Sequence, residues 1–318
     1  MTQTPSPIAV VAFGGNALLR PEDRGTQEEQ IARARQAARW LAEIVQHQYR
    51  LVIVHGNGPQ VGNILIQAEE ASTKIPPQSL DIAVAQTEGS MGFLLQQAMR
   101  NRLESMGLPA EVATLLTEVE VDLGDVAFKR PSKPIGPFFT RYRAEALSRD
   151  FGWTMREDAG RGWRKVVPSP RPLRILNLPA IERMLEAVSV LIAAGGGGIP
   201  VVRGRDAQWR GVEAVIDKDY ASALLAAQLE SSLYIILTGV SRVAIGFGTP
   251  QQREIDRMTV SEGKRYLEAG EFPPGSMGPK IEAAIDFVQR SGQEVLITDV
   301  ENLRDGLDGK AGTRIIPG

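Results

Sequence analysis

Two lysines stand where a helix would not ordinarily accept a cation. Lys218, in Ile216-Asp217-Lys218-Asp219, precedes a helical pattern over residues 220–229. Lys280 follows Gly275-Ser276-Met277-Gly278-Pro279 and precedes another over 281–288. The first turn of a helix is the positive end of its dipole and favours anions. A local rule broken twice in the same way points to function, and one anion shared by both helix ends and both lysines would resolve the conflict. The plainer alternative at each position is an exposed lysine with no partner. Asp219 reads either as an ordinary N-cap or as a carboxylate that holds lysine ammonium groups in place. A third lysine, Lys133 in Ser132-Lys133-Pro134-Ile135-Gly136, is not distinguished by spacing.

Glycine-rich turns supply the second half of the chemistry. The apolar run 8–13 leads into Gly14-Gly15-Asn16, the run 51–54 into His55-Gly56-Asn57-Gly58-Pro59-Gln60, and the run 190–194 into Gly195-Gly196-Gly197-Gly198. Glycine lets backbone amides approach an anion without side-chain obstruction, and a following helix N-terminus adds positive potential. Each turn alone is explained by a tight strand-to-helix connection. Together, at the carboxyl ends of strands where open α/β sheets bind ligands, they describe an oxyanion-binding crevice. Neither standard nucleotide template fits. Gly263-Lys264 and Gly309-Lys310 are followed by Arg265 and Ala311 rather than Ser or Thr, and the glycines of 56–62 are spaced one residue too widely for a dinucleotide fingerprint.

Composition narrows the chemistry further. The 318 residues hold 36 basic and 38 acidic side chains, a net charge of −2, which gives no basic surface for nucleic acid. There is no cysteine, so disulfide and thiolate chemistry are excluded and a reducing, cytoplasmic compartment is expected. His47 and His55 are the two histidines, too few for a histidine-based metal cluster. The apolar run 8–13 is too short for a secretory h-region, and no stretch approaches the roughly 20 apolar residues that span a bilayer. Lysines and backbone amides without histidine suit phosphoryl transfer, where catalysis is mostly positioning and charge neutralisation. An acceptor that is already a carboxylate-like anion needs no general base.

The elements that must position these residues alternate. Apolar runs at 8–13, 51–54, 190–194, 233–237 and 295–297 read as strands buried on both faces, hence a mostly parallel sheet. Helical spacing appears over 27–48 (Ile31, Ala34, Ala38, Leu41, Val45, with Trp40 flanking), after Asp219 and after Lys280. The expected fold is therefore a three-layer α/β/α sandwich. The stretch 125–172 breaks the pattern, being rich in Pro, Arg and aromatics (Phe128, Phe138, Phe139, Tyr142, Phe151, Trp153, Trp163). It reads as an inserted excursion, either a lid or a surface hairpin. A lobe boundary is expected near 202–211.

In this order the motifs resemble the carbamate kinase branch of the amino-acid kinases: residues 11–18, 55–62, 132–136, 166–170, 195–200, 211–219 and 275–280. The resemblance spans about residues 9–315. It implies an N-terminal lobe over 1–210, a protruding subdomain at about 125–172, a C-terminal nucleotide lobe over 211–318, and a homodimer. The implied reaction is ATP + carbamate = ADP + carbamoyl phosphate, with Mg²⁺ carried by the nucleotide phosphates rather than by protein ligands, usually in arginine catabolism. Lys218 and Lys280 would neutralise the transferring phosphoryl group, Asp219 would orient them, and Lys133 would reach in from the subdomain. Gly14, Gly15, Asn16, Gly56, Asn57, Gly58, Gly196 and Gly197 would hold the carbamoyl side. Asp217, Thr238, Gly239, Val240, Phe247, Ser276 and Met277 would hold the nucleotide. One segment departs from the family pattern Asn-Phe/Tyr-Gly-Lys-Pro: it reads Gly246-Phe247-Gly248-Thr249-Pro250, and the difference bears on adenine affinity. Alternatives are a kinase of the same fold acting on another carboxylate, such as an acetylglutamate-like acceptor, and a weakly active nucleotide-binding sensor.

Overall fold

A computed structural model describes residues 6–14, 23, 25–158, 160–273 and 275–318; Gly15 and Asn16 lie outside them. Strand Ile8–Phe13 is apolar at all six positions, and its side chains divide between two cores. Val10 and Ala12 enter one core with Val52 and Val54, while Ala9, Val11 and Phe13 enter the other with Leu51 and Ile53. Helices therefore cover both sheet faces. Ala221 and Leu225 of helix Lys218–Gln228, with Ile281 and Ala284 of helix Met277–Ser291, close the first core. Leu41 and Ile44 of helix Gln27–Gln46, with Met91, Leu95 and Met99 of helix Leu80–Ser105, close the second. Burying each such Leu, Ile or Met side chain contributes about 1.5–3 kcal/mol. A Thr26–Glu29 capping box fixes the start of helix Gln27–Gln46.

The main sheet has eight strands in the order Arg257–Thr259, Thr313–Ile316, Val295–Thr298, Leu233–Leu237, Ile8–Phe13, Arg50–His55, Val190–Ala193, Val112–Leu115. All neighbours pair in parallel except Val295–Thr298 with Thr313–Ile316. The α/β/α sandwich around a mostly parallel sheet is thus the fold. Strands from before residue 211 occupy one half and strands from after it the other, joined by the pairing of Ile8–Phe13 with Leu233–Leu237. The stretch near 202–211 is a hairpin, Ile199–Arg203 with Trp209–Gly211, in a separate four-stranded sheet.

Residues 125–172 form more than a hairpin. Strands Lys133–Phe139, Met155–Glu157 and Trp163–Val167 make their own sheet, with helix Arg141–Phe151 beside it. Ile135 and Val167 pack with Val61, Leu65, Leu80 and Val84 of the body. The seating is tight at one point: a Cβ on Gly62 would lie 1.9 Å from the Gly136 Cα. Only two glycines allow helix Gly58–Ala71 and strand Lys133–Phe139 to touch backbone to backbone.

Candidate active site

Register brings the glycine turns to one edge. Phe13 pairs with both His55 and Leu237, and Leu237 with Thr298, so Gly14, Gly56, Thr238 and Asp299 follow aligned strand ends. Gly56 N–H donates to the Phe13 carbonyl at 2.8 Å. The buried Asn57 side chain donates to Thr87 Oγ1 at 2.9 Å, and helix Gly58–Ala71 starts immediately after it. In the tetraglycine turn, Ala194 N–H donates to Thr117 Oγ1, Gly197 N–H to the Ala194 carbonyl and Gly198 N–H to the Gly195 carbonyl. Gly197 therefore uses its amide within the turn. Gly196 makes no such bond among the described residues, and it lines the crevice. Its φ of +69° and the Asn57 Nδ2 only 2.2 Å from where a Cβ would stand both require glycine.

The three lysines converge on two carboxylates. Asp217 is the N-cap of helix Lys218–Gln228, its Oδ1 accepting the Asp219 N–H at 3.0 Å. Its Oδ2 accepts from Lys133 Nζ at 2.7 Å. The capping alternative for Asp219 is thereby corrected: Asp217 caps the helix. Asp219, 3 % exposed, instead bridges the two catalytic candidates, with Lys218 Nζ on Oδ1 and Lys280 Nζ on Oδ2 at 2.8 Å. Both lysines do lie in first helical turns. Burial alone would raise both aspartate pKa values, but Lys133 and Lys218 beside Asp217, and Lys218 and Lys280 beside Asp219, hold them below the usual carboxylate range. Burial pulls the Lys218 ammonium down further than Asp219 restores it. For Lys280 burial is the largest single effect and acts downward, but Asp219 and Asp217 together outweigh it and the net shift is upward.

Around this cluster lie two connected chambers. One, of about 610 Å³, is lined by Gly14, Trp40, Gly58, Thr238, Gly239, Ser276 and Asp299 among others. The second, of about 810 Å³, is lined by Gly56, Asn57, Lys133, Gly196, Asp217 and Asp219 among others. Gly58, Arg164, Lys218, Gly275, Ser276 and Lys280 line both. Each volume is in the range that holds a cofactor-sized ligand. The crevice brings together most of the residues singled out from the sequence. Val240 and Met277 do not line either chamber, and Phe247, 63 % exposed, sits outside both with Gly246 and Thr249. That loop is tied to itself and to Glu271: Gly246 N–H donates to Glu271 Oε2 at 2.7 Å and Thr249 Oγ1 to the Gly246 carbonyl at 2.7 Å.

Sequence reasoning missed Arg164, the one residue of 125–172 that lines both chambers, along with Arg171 and Asp299. An arginine in an aperiodic stretch gives no spacing signal. Trp40 was noticed only as flanking a helical stripe. The amino acid kinase family profile matches residues 7–299. The chain belongs to that family. It is 42% identical over 310 residues to the carbamate kinase of Pyrococcus furiosus, covering 97% of this chain and 98% of that protein. It is 44% identical over 312 residues to the carbamate kinase-like protein YahI of Escherichia coli, covering 97% and 98%. The structure of Giardia lamblia carbamate kinase bound to AMP-PNP superposes with a TM-score of 0.91 at 39% identity, covering 98% of this chain and 99% of that one.

Proposed function

We propose that this chain is a carbamate kinase, transferring a phosphoryl group reversibly between ATP and carbamate. The observation that carries the reading is the Lys218–Asp219–Lys280 bridge at the junction of the two chambers. Two ammonium groups fixed on one buried carboxylate form a preorganised positive patch. Such a patch stabilises charge that develops on a phosphoryl group in flight without needing to reorganise. In this reading the nucleotide lies along Thr238, Gly239 and Ser276 in the C-terminal half, with Val240 and Met277 next to them in the chain and Asp217 at the adjoining chamber, while Phe247 stands away from it. The carbamoyl group lies on Gly14, Gly56–Gly58 and the free amide of Gly196, with Gly197 shaping the turn; Gly15 and Asn16, assigned to the same loop by the resemblance, lie outside the described residues. Lys133 leaves Asp217 to meet the acyl phosphate, and Asp217 keeps its capping role.

Carbamate is itself an anion, so proton abstraction is not required, in keeping with the histidines. His47 packs against Asp308, and His55 is buried under Gly195. Among the described residues no three His, Cys, Asp or Glu side chains cluster as metal ligands, and Asp217 and Asp219 are engaged by lysines. In this reading Mg²⁺ is carried on the nucleotide phosphates, where it would help neutralise their charge. No described helix is long and apolar enough to cross a membrane. With the lack of cysteine this supports a cytoplasmic enzyme, and exposed Ile82 and Phe93 on helix Leu80–Ser105 support a homodimer. The test is ATP formation from ADP with carbamoyl phosphate set beside acetyl phosphate and an acylglutamyl phosphate. Preference for carbamoyl phosphate upholds the reading; preference for another acyl phosphate replaces it with the second carboxylate-kinase reading.

A further inference from the structure

The neck of the 125–172 subdomain holds a cluster that the proposed chemistry does not use. Its two chain crossings meet where Arg171 N–H donates to Asp125 Oδ2 at 2.9 Å, while Asp125 Oδ1 caps helix Val126–Lys129. From this knot the Arg171 guanidinium lies over the Tyr220 ring, 3.4 Å from its centroid, and donates to Glu282 Oε2 at 2.5 Å. Tyr220 O–H donates to the same oxygen at 2.7 Å. Tyr220 follows Asp219 in the chain, and Glu282 stands two residues after Lys280. The neck is thus fastened to the first turn of helix Lys218–Gln228 and the second turn of helix Met277–Ser291, the two helices that carry the lysine–aspartate bridge.

Two side-chain ion pairs among the described residues join the subdomain to the C-terminal half: Lys133–Asp217 and Arg171–Glu282. Resting on the reading above, the first must open when Lys133 engages substrate. Arg171 and Tyr220 line the larger chamber, but Glu282, which holds them, lines neither, so the second pair can persist. We propose that Glu282 is a positioning residue: by holding Arg171 and Tyr220 together it keeps the subdomain docked over the crevice, so that Lys133 reaches the phosphoryl group when it leaves Asp217. Glu282 is suited to this because one carboxylate oxygen accepts from both partners, and because an aromatic face and an arginine stack favourably. The contact is half exposed, so its value lies in geometry rather than in overall stability.

The experiment compares Glu282→Ala, Glu282→Gln, Lys133→Ala and the double variant Lys133→Ala/Glu282→Ala. We expect Glu282→Ala to lower kcat on the order of tenfold to a hundredfold, the scale of a small misplacement of a reacting group, with the KM for ADP little changed. Glu282→Gln keeps an acceptor for both partners and should stay within about threefold of wild type. In the Lys133→Ala background, Glu282→Ala should have no further effect on kcat, because it acts through Lys133. Hydrogen exchange across 128–163 should quicken in Glu282→Ala and stay normal in Glu282→Gln. Full additivity with Lys133→Ala, or wild-type kcat and exchange in Glu282→Ala, overturns the proposal. If wild type forms no ATP, it is the carbamate kinase reading that falls. The exchange arm then decides the latch alone: faster exchange upholds it and unchanged exchange overturns it.

Discussion

Removing the two bridging lysines together should destabilise the protein far more than removing either alone. Asp219 is buried and holds Lys218 on one oxygen and Lys280, at 2.8 Å, on the other. In Lys218→Ala or Lys280→Ala the remaining ammonium still faces the carboxylate. Each single change also relieves a cation at a helix N-terminus, a term of about 0.3–1 kcal/mol. Each single variant should therefore stay within about 1 kcal/mol of wild type, with Lys218→Ala the more stable because burial already disfavours that ammonium. The double variant strands a buried carboxylate, and breaking a buried pair in this way costs about 3–5 kcal/mol. Adding Asp219→Asn to the double variant should recover most of that loss. Urea unfolding of the four variants measures this directly, and kcat for each single variant should fall on the order of 10²–10³, without full additivity in the pair. A double variant that loses no more stability than the two singles together would refute the reasoning.

Two further predictions follow from burial. His55 is fully buried, and desolvation, only partly opposed by the Gly56 carbonyl, pulls its pKa from 6.5 to about 4. Because the folded value is depressed, the neutral ring's contribution is fully present above about pH 6.5 and is lost as pH falls toward 4, by about 3 kcal/mol in all; urea midpoints for wild type and His55→Asn should converge as pH falls from 7.5 to 4.5, and parallel pH profiles would contradict this. At the subdomain seat, Gly62→Ala forces a Cβ onto Gly136, which should cost about 1–3 kcal/mol and quicken exchange over residues 133–139, whereas ADP with a carbamoyl phosphate analogue should slow exchange across 128–163 in wild type; unchanged exchange in both experiments would leave the subdomain as a rigid appendage.

The centre of the sheet was legible because its strands carry unbroken apolar runs rather than alternation, the pattern that two covering helical layers require. Strands Ile8–Phe13 and Leu233–Leu237 coincide with the apolar runs. Helix Leu80–Ser105 was not read, although it is the longest among the described residues. Its buried positions follow one helical stripe, but Thr87, Glu88 and Gly92 stand in that stripe where apolar residues would be expected, so its periodicity is blurred. Those polar residues serve the site from behind: Thr87 holds Asn57, and Glu88 Oε2 accepts the Thr117 N–H at 2.8 Å. The paired helix-start lysines were legible because they violate the dipole rule locally. That Asp217 caps and Asp219 bridges could not be told from two aspartates flanking one lysine. Arg164, Arg171 and Glu282 gave no signal, since their roles arise from where the subdomain docks rather than from their own neighbours in the chain.

The measurement that bears most directly on the whole account is ATP formation from ADP and carbamoyl phosphate by wild type and by Lys280→Ala, both verified as folded, against the spontaneous decomposition of carbamoyl phosphate. The account predicts sustained ATP formation by wild type and a loss on the order of 10²–10³ in kcat for Lys280→Ala, with ADP affinity nearly retained. Wild type at the level of the blank, or Lys280→Ala as fast as wild type, would contradict it.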